Sequence, residues 1–372
     1  MTNKIKVIHF VTGGFSGATN LAVELVQAHN SFSNLSEPNL QSLLVLRQKK
    51  TTTADKLARL DSLGIDYQVV TGSSHLATIF ALKKICQEFQ PDILVAHGFP
   101  EHLIGRWAGK QAGVPHLIQV EHASKERYTP FRLWQTRHLS KYTDYAIGVS
   151  QGVADVLRSQ NLSCKIMAIA NGIDTQKFSS DKPLVERQHD IIMVARFSKG
   201  KNHAVLLDAL ALLKNQNITP KLNFLGAGNG RHEQAVVDKI AKLGLQDQVM
   251  LLGHCSDMAE QLASHKVFVL ASFHEGLSLS VIEAMASGCV VVGSDVVGIS
   301  ELIEHEQDGF LFDVNNATQL ADILATTLSN IESYQAMATL SQQKTVKYYD
   351  KSVMAENYLK LFSQLTNTND KN

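Results

Sequence analysis

Glu275 and Glu283 stand eight residues apart in the stretch Leu270 to Val292, LASFHEGLSLSVIEAMASGCVVV. The stretch reads as a buried strand end, a tight turn, a short helix from about Ser280 to Gly288, and a second buried strand. Serine is a good N-cap and glycine a good helix stop. A helix N-terminus offers free N–H groups and a partial positive charge, so it seats a phosphate. Gly276 lets a ligand approach the backbone closely. Such a turn could grip a phosphorylated sugar. Two blander readings stand beside this one. Ser280 and Glu283 have capping-box spacing, in which the carboxylate bonds back to the helix start, and Glu275 could be a solvated loop acid.

Two cations follow another apolar run. Ile191 to Ala195 reads as a buried strand that delivers Arg196 and Lys201 into a loop before a helix at Ala204–Lys214. Two cations beyond a parallel strand suit a diphosphate, arginine as a fork and lysine as a point charge. They could also be solvated loop cations. His97 and His122 each end an apolar strand, Asp92–Ala96 and His116–Val120. Ligands bind past the carboxyl ends of parallel strands, which favours both over histidines placed at random. Near the N-terminus, the strand Ile5–Val11 runs into Thr12-Gly13-Gly14-Phe15-Ser16-Gly17 and then a helix at Ala18–His29. A glycine-rich turn of this kind suits a phosphate, although the spacing of the dinucleotide fingerprint is absent.

These residues need elements to position them, and the chain supplies strands alternating with helices throughout. Further strands are expected at Gln41–Leu46, Tyr67–Val70, Tyr145–Val149, Ile166–Ala170, Leu222–Leu225 and Gln248–Leu252. Helices are expected at His75–Phe89, Glu101–Ala112, Gln151–Ser159 and over Thr318 to Leu365. That alternation means doubly wound parallel sheets. A length of 372 residues suits two domains. Phe178 to His189 is polar, carries Pro183 and reads as the linker.

Composition narrows the function. Lys and Arg total 35, as do Asp and Glu, so no overall field selects nucleic acid. Four scattered cysteines without a C-x-x-C pair favour a reducing compartment and argue against a structural zinc site. The first apolar run is too short for a signal-peptide core or a membrane span, so a cytoplasmic protein is expected. Lys125 to Lys141 interleaves five basic residues with Tyr128, Phe131, Leu133 and Trp134. It is either a solvated helix or a patch that docks on anionic lipid, where each basic residue is worth roughly 1 kcal/mol.

Glu275-GLSLSVI-Glu283 resembles the E-x7-E signature of retaining glycosyltransferase family 4, and the resemblance covers roughly residues 5 to 315. Arg196 to Lys201 resembles the family's G-R-x4-K element, with Ala195 in place of glycine. Asn171-Gly-Ile-Asp174 resembles the turn that ends the first domain, Gly253-His-Cys255-Ser-Asp257 the base-reading element, and Asp308 to Phe312 a later turn and strand. Gly298-Ile-Ser-Glu301 stands where the family usually has a proline before the glutamate.

The resemblance implies a GT-B fold, two Rossmann-like domains facing a cleft. The expected division is 1–175 on the acceptor side, a linker at 176–189, a nucleotide-sugar domain at 190–350, and a C-terminal helix, 351–372, crossing back to the first domain. It implies donor contacts from Gly13, Gly14, Cys255 and Gly276, Leu277, Ser278 and Leu279, with Glu275 on the sugar and Glu283 on the ribose. Arg196 and Lys201 would stabilise the leaving diphosphate, His122 would be an active-site residue, and His97 and Gly17 would lie on the acceptor side. The expected reaction is transfer from a nucleotide sugar to a glycan or lipid-linked acceptor, with retention. No cofactor and no metal are expected, in keeping with the lack of a D-x-D motif. The protein could lie peripherally on the inner face of the plasma membrane.

Three other readings remain at this stage. A nucleotide-sugar epimerase can share the GT-B architecture. A dinucleotide oxidoreductase would need an acid after the second strand, where Arg47, Gln48 and Lys49 stand instead. A non-catalytic binding protein is the third.

Overall fold

The computed structural model describes residues 4–15, 17–33, 40–125, 128–228, 230–255 and 257–367. They form two units. The first runs to Gly172 and resumes at Lys351, and the second spans Ile173–Asp350.

In the first unit, strands and helices alternate in chain order. They are β1 (Ile5–Thr12), α1 (Gly17–Ser33), β2 (Leu40–Arg47), α2 (Ala54–Ser62), β3 (Tyr67–Val70), α3 (His75–Phe89) and β4 (Ile93–His97). Then come α4 (Glu101–Ala112), β5 (His116–Glu121), α5 (Pro130–Ser140), β6 (Tyr145–Gly148), α6 (Gln151–Ser159) and β7 (Lys165–Ala168). The sheet order is β3-β2-β1-β4-β5-β6-β7, and every pair is parallel. Both faces are covered, which is why the strands read as continuous apolar runs. Successive residues go to opposite sides. Phe10, Val45 and Leu94 pack with α3 and α4, while Val11, Leu44 and Leu46 pack with α1 and α2.

The second unit opens with the short α7 (Thr175–Phe178) and continues with β8 (His189–Val194), α8 (His203–Asn215), β9 (Leu222–Leu225), α9 (Arg231–Leu243) and β10 (Val249–Gly253). It goes on through α10 (Met258–Ser264), β11 (His265–Leu270), α11 (Leu279–Ala286), β12 (Val290–Ser294), β13 (Phe310–Phe312), α12 (Ala317–Ser329) and α13 (Gln335–Tyr348). Its sheet, β10-β9-β8-β11-β12-β13, is also parallel throughout. The two doubly wound domains of the GT-B fold are therefore present.

The segment read as a linker is packed into the second unit. Leu184 is fully buried, and the buried Arg187 donates to the carbonyls of His265 at 2.9 Å and Ser287 at 2.8 Å. The last helix, α14 (Lys351–Asn367), belongs to the first unit and lies on α1. Its buried stripe is Met354, Ala355, Tyr358, Leu361, Phe362 and Leu365, the spacing of one helical face.

Beneath that stripe runs a row of histidines. His29 bonds the Ala355 carbonyl at 3.2 Å, His9 packs against Phe362, and His9 Nδ1 meets His97 Nε2 at 3.2 Å. His97 in turn lies 5.6 Å from His122, ring to ring. Burial holds all four below the usual imidazole range, His9 at about 3 and His29 and His122 at about 4. The folded state thus keeps neutral rings that the unfolded chain would protonate. The stability they contribute is complete above the unfolded value of 6.5 and is lost as pH falls from there toward about 4. Each ring that stays neutral should steepen that loss by up to about 1.4 kcal/mol per pH unit. Chemical denaturation of the protein and of His9→Gln at pH 7, 6 and 5 checks this; equal slopes in the two proteins would remove His9 from the account.

Candidate active site

A doubly wound sheet binds ligands where the strand order reverses, past the strands' carboxyl ends. In the second unit the reversal lies between β8 and β11. Arg196 and Lys201 follow β8, and Glu275 follows β11, so the expected cations and the first carboxylate meet at that crevice. Lys201 Nζ donates to Glu275 Oε1 in a partly buried ion pair. The Phe273 N–H donates to the Gly200 carbonyl at 2.8 Å and ties the two loops together. Arg196 is exposed, and no carboxylate pairs with it among the described residues.

The turn 275–278 rests on a second loop. The Ser278 N–H bonds the Gly298 carbonyl at 3.1 Å. Gly298 has φ +81°, and a Cβ there would stand 2.5 Å from the Gly276 carbonyl oxygen. Only glycine fits both the backbone and the space. The Gly298–Glu301 loop, which lacks the family's proline, thus backs the turn directly. Gly276, Leu277 and Ser278 are buried, and Leu279 opens α11.

Helix α11 starts at Leu279, with Ser278 at the N-cap position and no side-chain cap bond. Ser280 is therefore inside the helix, and the capping box does not form. The Glu283 carboxyl has no hydrogen-bond partner among the described residues. Protein surrounds it while part of the side chain stays open to solvent, and burial pushes its pKa up to about 7, with Lys177 pulling the other way. A half-open, unpaired carboxyl has unfilled acceptor capacity that hydroxyl donors would satisfy. Arg187 holds the far end of this helix through the Ser287 carbonyl, a cation where the helix dipole favours one. Nothing in the polar run 178–189 distinguished it beforehand.

Cys255 follows β10 on the same edge, and the Gly253 carbonyl accepts from the Gly226 N–H at 2.9 Å. Asn229 and Ser256, in the two glycine-containing turns there, lie outside the described residues.

The first unit reverses its order between β1 and β4. Gly13 follows β1, its N–H bonded to the Arg47 carbonyl at 2.7 Å; a Cβ there would meet Thr52 Oγ1 at 2.5 Å. A Cβ would have ordinary room at Gly14 and open space at Gly17. Ser16 lies outside the described residues. His97 ends β4 and is buried in the histidine row; His122 follows β5. His122 Nε2 is buried without a partner among the described residues. Gly98 sits between His122 and Ala18, with a would-be Cβ 3.7 Å from the ring and 3.8 Å from the Ala18 methyl.

Sequence reasoning missed Glu121. Its Oε1 accepts from the His122 N–H at 3.1 Å and its Oε2 from the Tyr128 hydroxyl at 2.8 Å. Tyr128 meets His102 at 2.8 Å, and His102 meets the fully buried Arg106 at 2.9 Å. This network fixes the His122 loop. A charged residue ending an otherwise apolar strand was the available signal.

Comparison with known proteins finds glycosyltransferases. The protein-family model "Glycosyl transferases group 1" matches residues 174–344, and "Glycosyltransferase Family 4" matches residues 57–177. The chain is 27% identical over 316 residues (78% of this chain, 81% of the relative) to N,N'-diacetylbacillosaminyl-diphospho-undecaprenol alpha-1,3-N-acetylgalactosaminyltransferase of Campylobacter jejuni. It is 25% identical over 268 residues (67% of this chain, 69% of the relative) to UDP-Gal:alpha-D-GlcNAc-diphosphoundecaprenol alpha-1,3-galactosyltransferase of Escherichia coli. The Anabaena HepE structure, in complex with UDP and glucose, superposes with a TM-score of 0.82 at 19% identity, over 97% of this chain and 100% of that one, and shows the shared fold. The epimerase, oxidoreductase and binding-protein readings find no support in these relatives.

The raised pKa of Glu283 predicts a stability effect. A carboxyl that ionises at about 7 when folded and 4.5 otherwise destabilises the fold as pH rises through that window. Glu283→Gln should therefore stabilise the protein by about 1–3 kcal/mol at pH 8 and by little at pH 4. Unfolding curves at both pH values decide; destabilisation at pH 8 would mean that the carboxylate has a structural partner.

Proposed function

We propose that this glycosyltransferase of GT-B fold moves a sugar from a nucleoside diphosphate donor, bound by the second unit, to a lipid-linked diphosphate acceptor, with retention and without a metal. The observation that carries the reading is the β8/β11 crevice. It sets the Lys201–Glu275 pair, the exposed Arg196 and the start of α11 on one sheet edge. The acceptor class rests on the diphospho-undecaprenol named in the two enzymes above.

The chemical difficulty is breaking a sugar–phosphate bond, because negative charge grows on the departing diphosphate. Arg196, Lys201 and the N–H groups opening α11 meet that charge, and Lys201 is held in advance by Glu275. These cations do the work that a divalent ion does elsewhere. Glu275 holds Lys201 with one oxygen and keeps acceptor capacity for a sugar hydroxyl. Glu283 accepts from the two ribose hydroxyls, and those bonds favour its ionised form. In a retaining transfer the anomeric carbon–oxygen bond to phosphate breaks and the bond to the acceptor oxygen forms on the same face. The acceptor proton passes to the departing phosphate oxygen.

His122, with its pKa held at about 4, is neutral at pH 7 and a poor base. Its unpartnered Nε2 serves as a hydrogen-bond partner for a sugar hydroxyl. His97, bonded to His9, supports the His122 ring.

The reading also includes a peripheral position on an anionic membrane face on the cytoplasmic side. No described helix is long and apolar enough to cross a bilayer. Helix α5 exposes Phe131 and Trp134 beside Arg132 and Arg137, which suits an interfacial element. Glu126 and Arg127 of this basic stretch lie outside the described residues.

Thermal unfolding with UDP, GDP and ADP in excess tests the donor site, since a ligand at 100 times its Kd adds about 2.7 kcal/mol. One nucleotide should stabilise the protein, and Glu283→Ala should weaken it about tenfold through lost hydrogen bonds to a charged group. With the matching nucleotide sugar and a polyprenyl diphosphate-linked saccharide, turnover should survive EDTA and fall by about 10² in Arg196→Ala. Loss of activity in EDTA, restored by Mn²⁺, would overturn the metal-free scheme. A product of inverted anomeric configuration by NMR would overturn retention.

A further inference from the structure

Helices α3, α4 and α5 enclose a groove of about 560 Å³ in the first unit. Its walls are mainly apolar, with Ile79, Phe80, Phe99, Leu103, Trp107 and Phe131 among the lining residues. The rim is apolar as well, although it faces solvent. Leu76 is 69% exposed, Phe80 and Phe131 64%, and Trp134 57%. Rings continue the rim along α5. Phe131 stacks on Trp134 at 5.9 Å, Trp134 on His138 at 5.7 Å, and His138 on Trp107 at 5.8 Å. A contiguous apolar surface of this kind on a soluble unit is a binding surface.

One end of the groove is cationic. His75 and Arg132 line it, with the Arg132 guanidinium 4.8 Å over the Phe99 ring. Arg47 ends β2 and Lys49 follows it on the same sheet edge; burial lowers the His75 pKa first, the charges of Arg47, Lys49 and Arg132 lower it further, and Glu101 opposes them. The acid nearby is Glu101, and Arg47 occupies it through a buried pair at 2.6 Å. Among the described residues Lys49 and Arg132 have no carboxylate partner. An apolar trough whose mouth sets Arg47, Lys49 and Arg132 against the single acid Glu101 is complementary to a long hydrocarbon bearing an anionic head. A saccharide would need hydrogen-bond partners along the walls, and rings and aliphatic chains dominate there.

We propose that this groove takes the hydrocarbon end of a polyprenyl diphosphate, with the diphosphate meeting Arg132 and Lys49. This deepens, and rests on, the reading that the acceptor is lipid-linked. It assigns the lipid part of that acceptor a seat of its own, whereas an interfacial α5 alone would meet a bilayer without selecting a molecule. The exposed rings of the rim would face the membrane from which the lipid is drawn.

Of the chain's two tryptophans, Trp107 lines the groove and Trp134 stacks on its lining residue Phe131, so intrinsic fluorescence reports on it. The probe is farnesyl diphosphate in detergent-free buffer. A saturable change is expected, weakened at least tenfold in both Phe80→Asp and Arg132→Ala. Phe80 is mostly exposed, so its replacement does not threaten the fold. Farnesol and inorganic diphosphate should each bind at least tenfold more weakly than farnesyl diphosphate. Equal binding by either variant, by farnesol or by inorganic diphosphate would overturn the proposal. Sedimentation with phosphatidylglycerol vesicles but no response to farnesyl diphosphate would also overturn it, leaving a surface that meets bilayers only. Failure of the two proposals is distinguishable. Transfer to a lipid-linked acceptor with an unchanged KM in Phe80→Asp removes the groove alone. Binding of farnesyl diphosphate without any transfer removes the proposed activity.

Discussion

A parallel sheet sends the carboxyl end of every strand to the same edge, and helices returning on opposite faces part where the strand order reverses. That constraint decides where chemistry is possible in this chain. In the second unit it brings the loops after β8 and β11 to one edge, close enough for Lys201 to reach Glu275. The surrounding contacts keep this spacing. Gly200 and Phe273 join the two loops, and Gly298 supports the turn from behind at a distance that admits no side chain.

Charges outside the second unit's crevice are treated differently. Arg47 is paired with Glu101, Arg187 is satisfied by backbone carbonyls, and Arg106 by His102 and Thr143. A buried charge without partners is costly, so these satisfied groups are structural. At the crevice Arg196 has no carboxylate and Glu283 no donor among the described residues. The contrast separates groups already satisfied by the fold from Arg196 and Glu283, whose bonding capacity the fold leaves unused.

The alternation of strands and helices was legible because burial on both sheet faces forces apolar runs of strand length. The placement of Arg196, Lys201, Glu275 and His122 at strand ends followed from the same pattern. The start of α11 was misplaced by one residue. Serine propensity pointed to Ser280, whereas the Ser278–Gly298 contact sets where the turn ends. The supposed linker was misread because a polar, proline-containing run looks alike whether solvated or packed; Leu184 is tied to Gln335 of α13, and Arg187 to β11 and the end of α11, none of them near in sequence. The Glu121–Tyr128–His102–Arg106 network was equally hidden, since its members come from separate elements and no local spacing links them.

The first unit is broken in sequence: the second unit is inserted between Gly172 and Lys351, and α14 returns to complete the first. During synthesis at roughly 5–20 residues per second, β1 to β7 therefore emerge about 10–40 s before the helix that covers α1 and the histidine row. The second unit, contiguous in sequence, is free to finish first. Between those events the oldest part of the chain presents an uncovered apolar face to the cell. The arrival of α14 sets the moment when that exposure ends, and a chain without this helix leaves α1 and the histidine row uncovered.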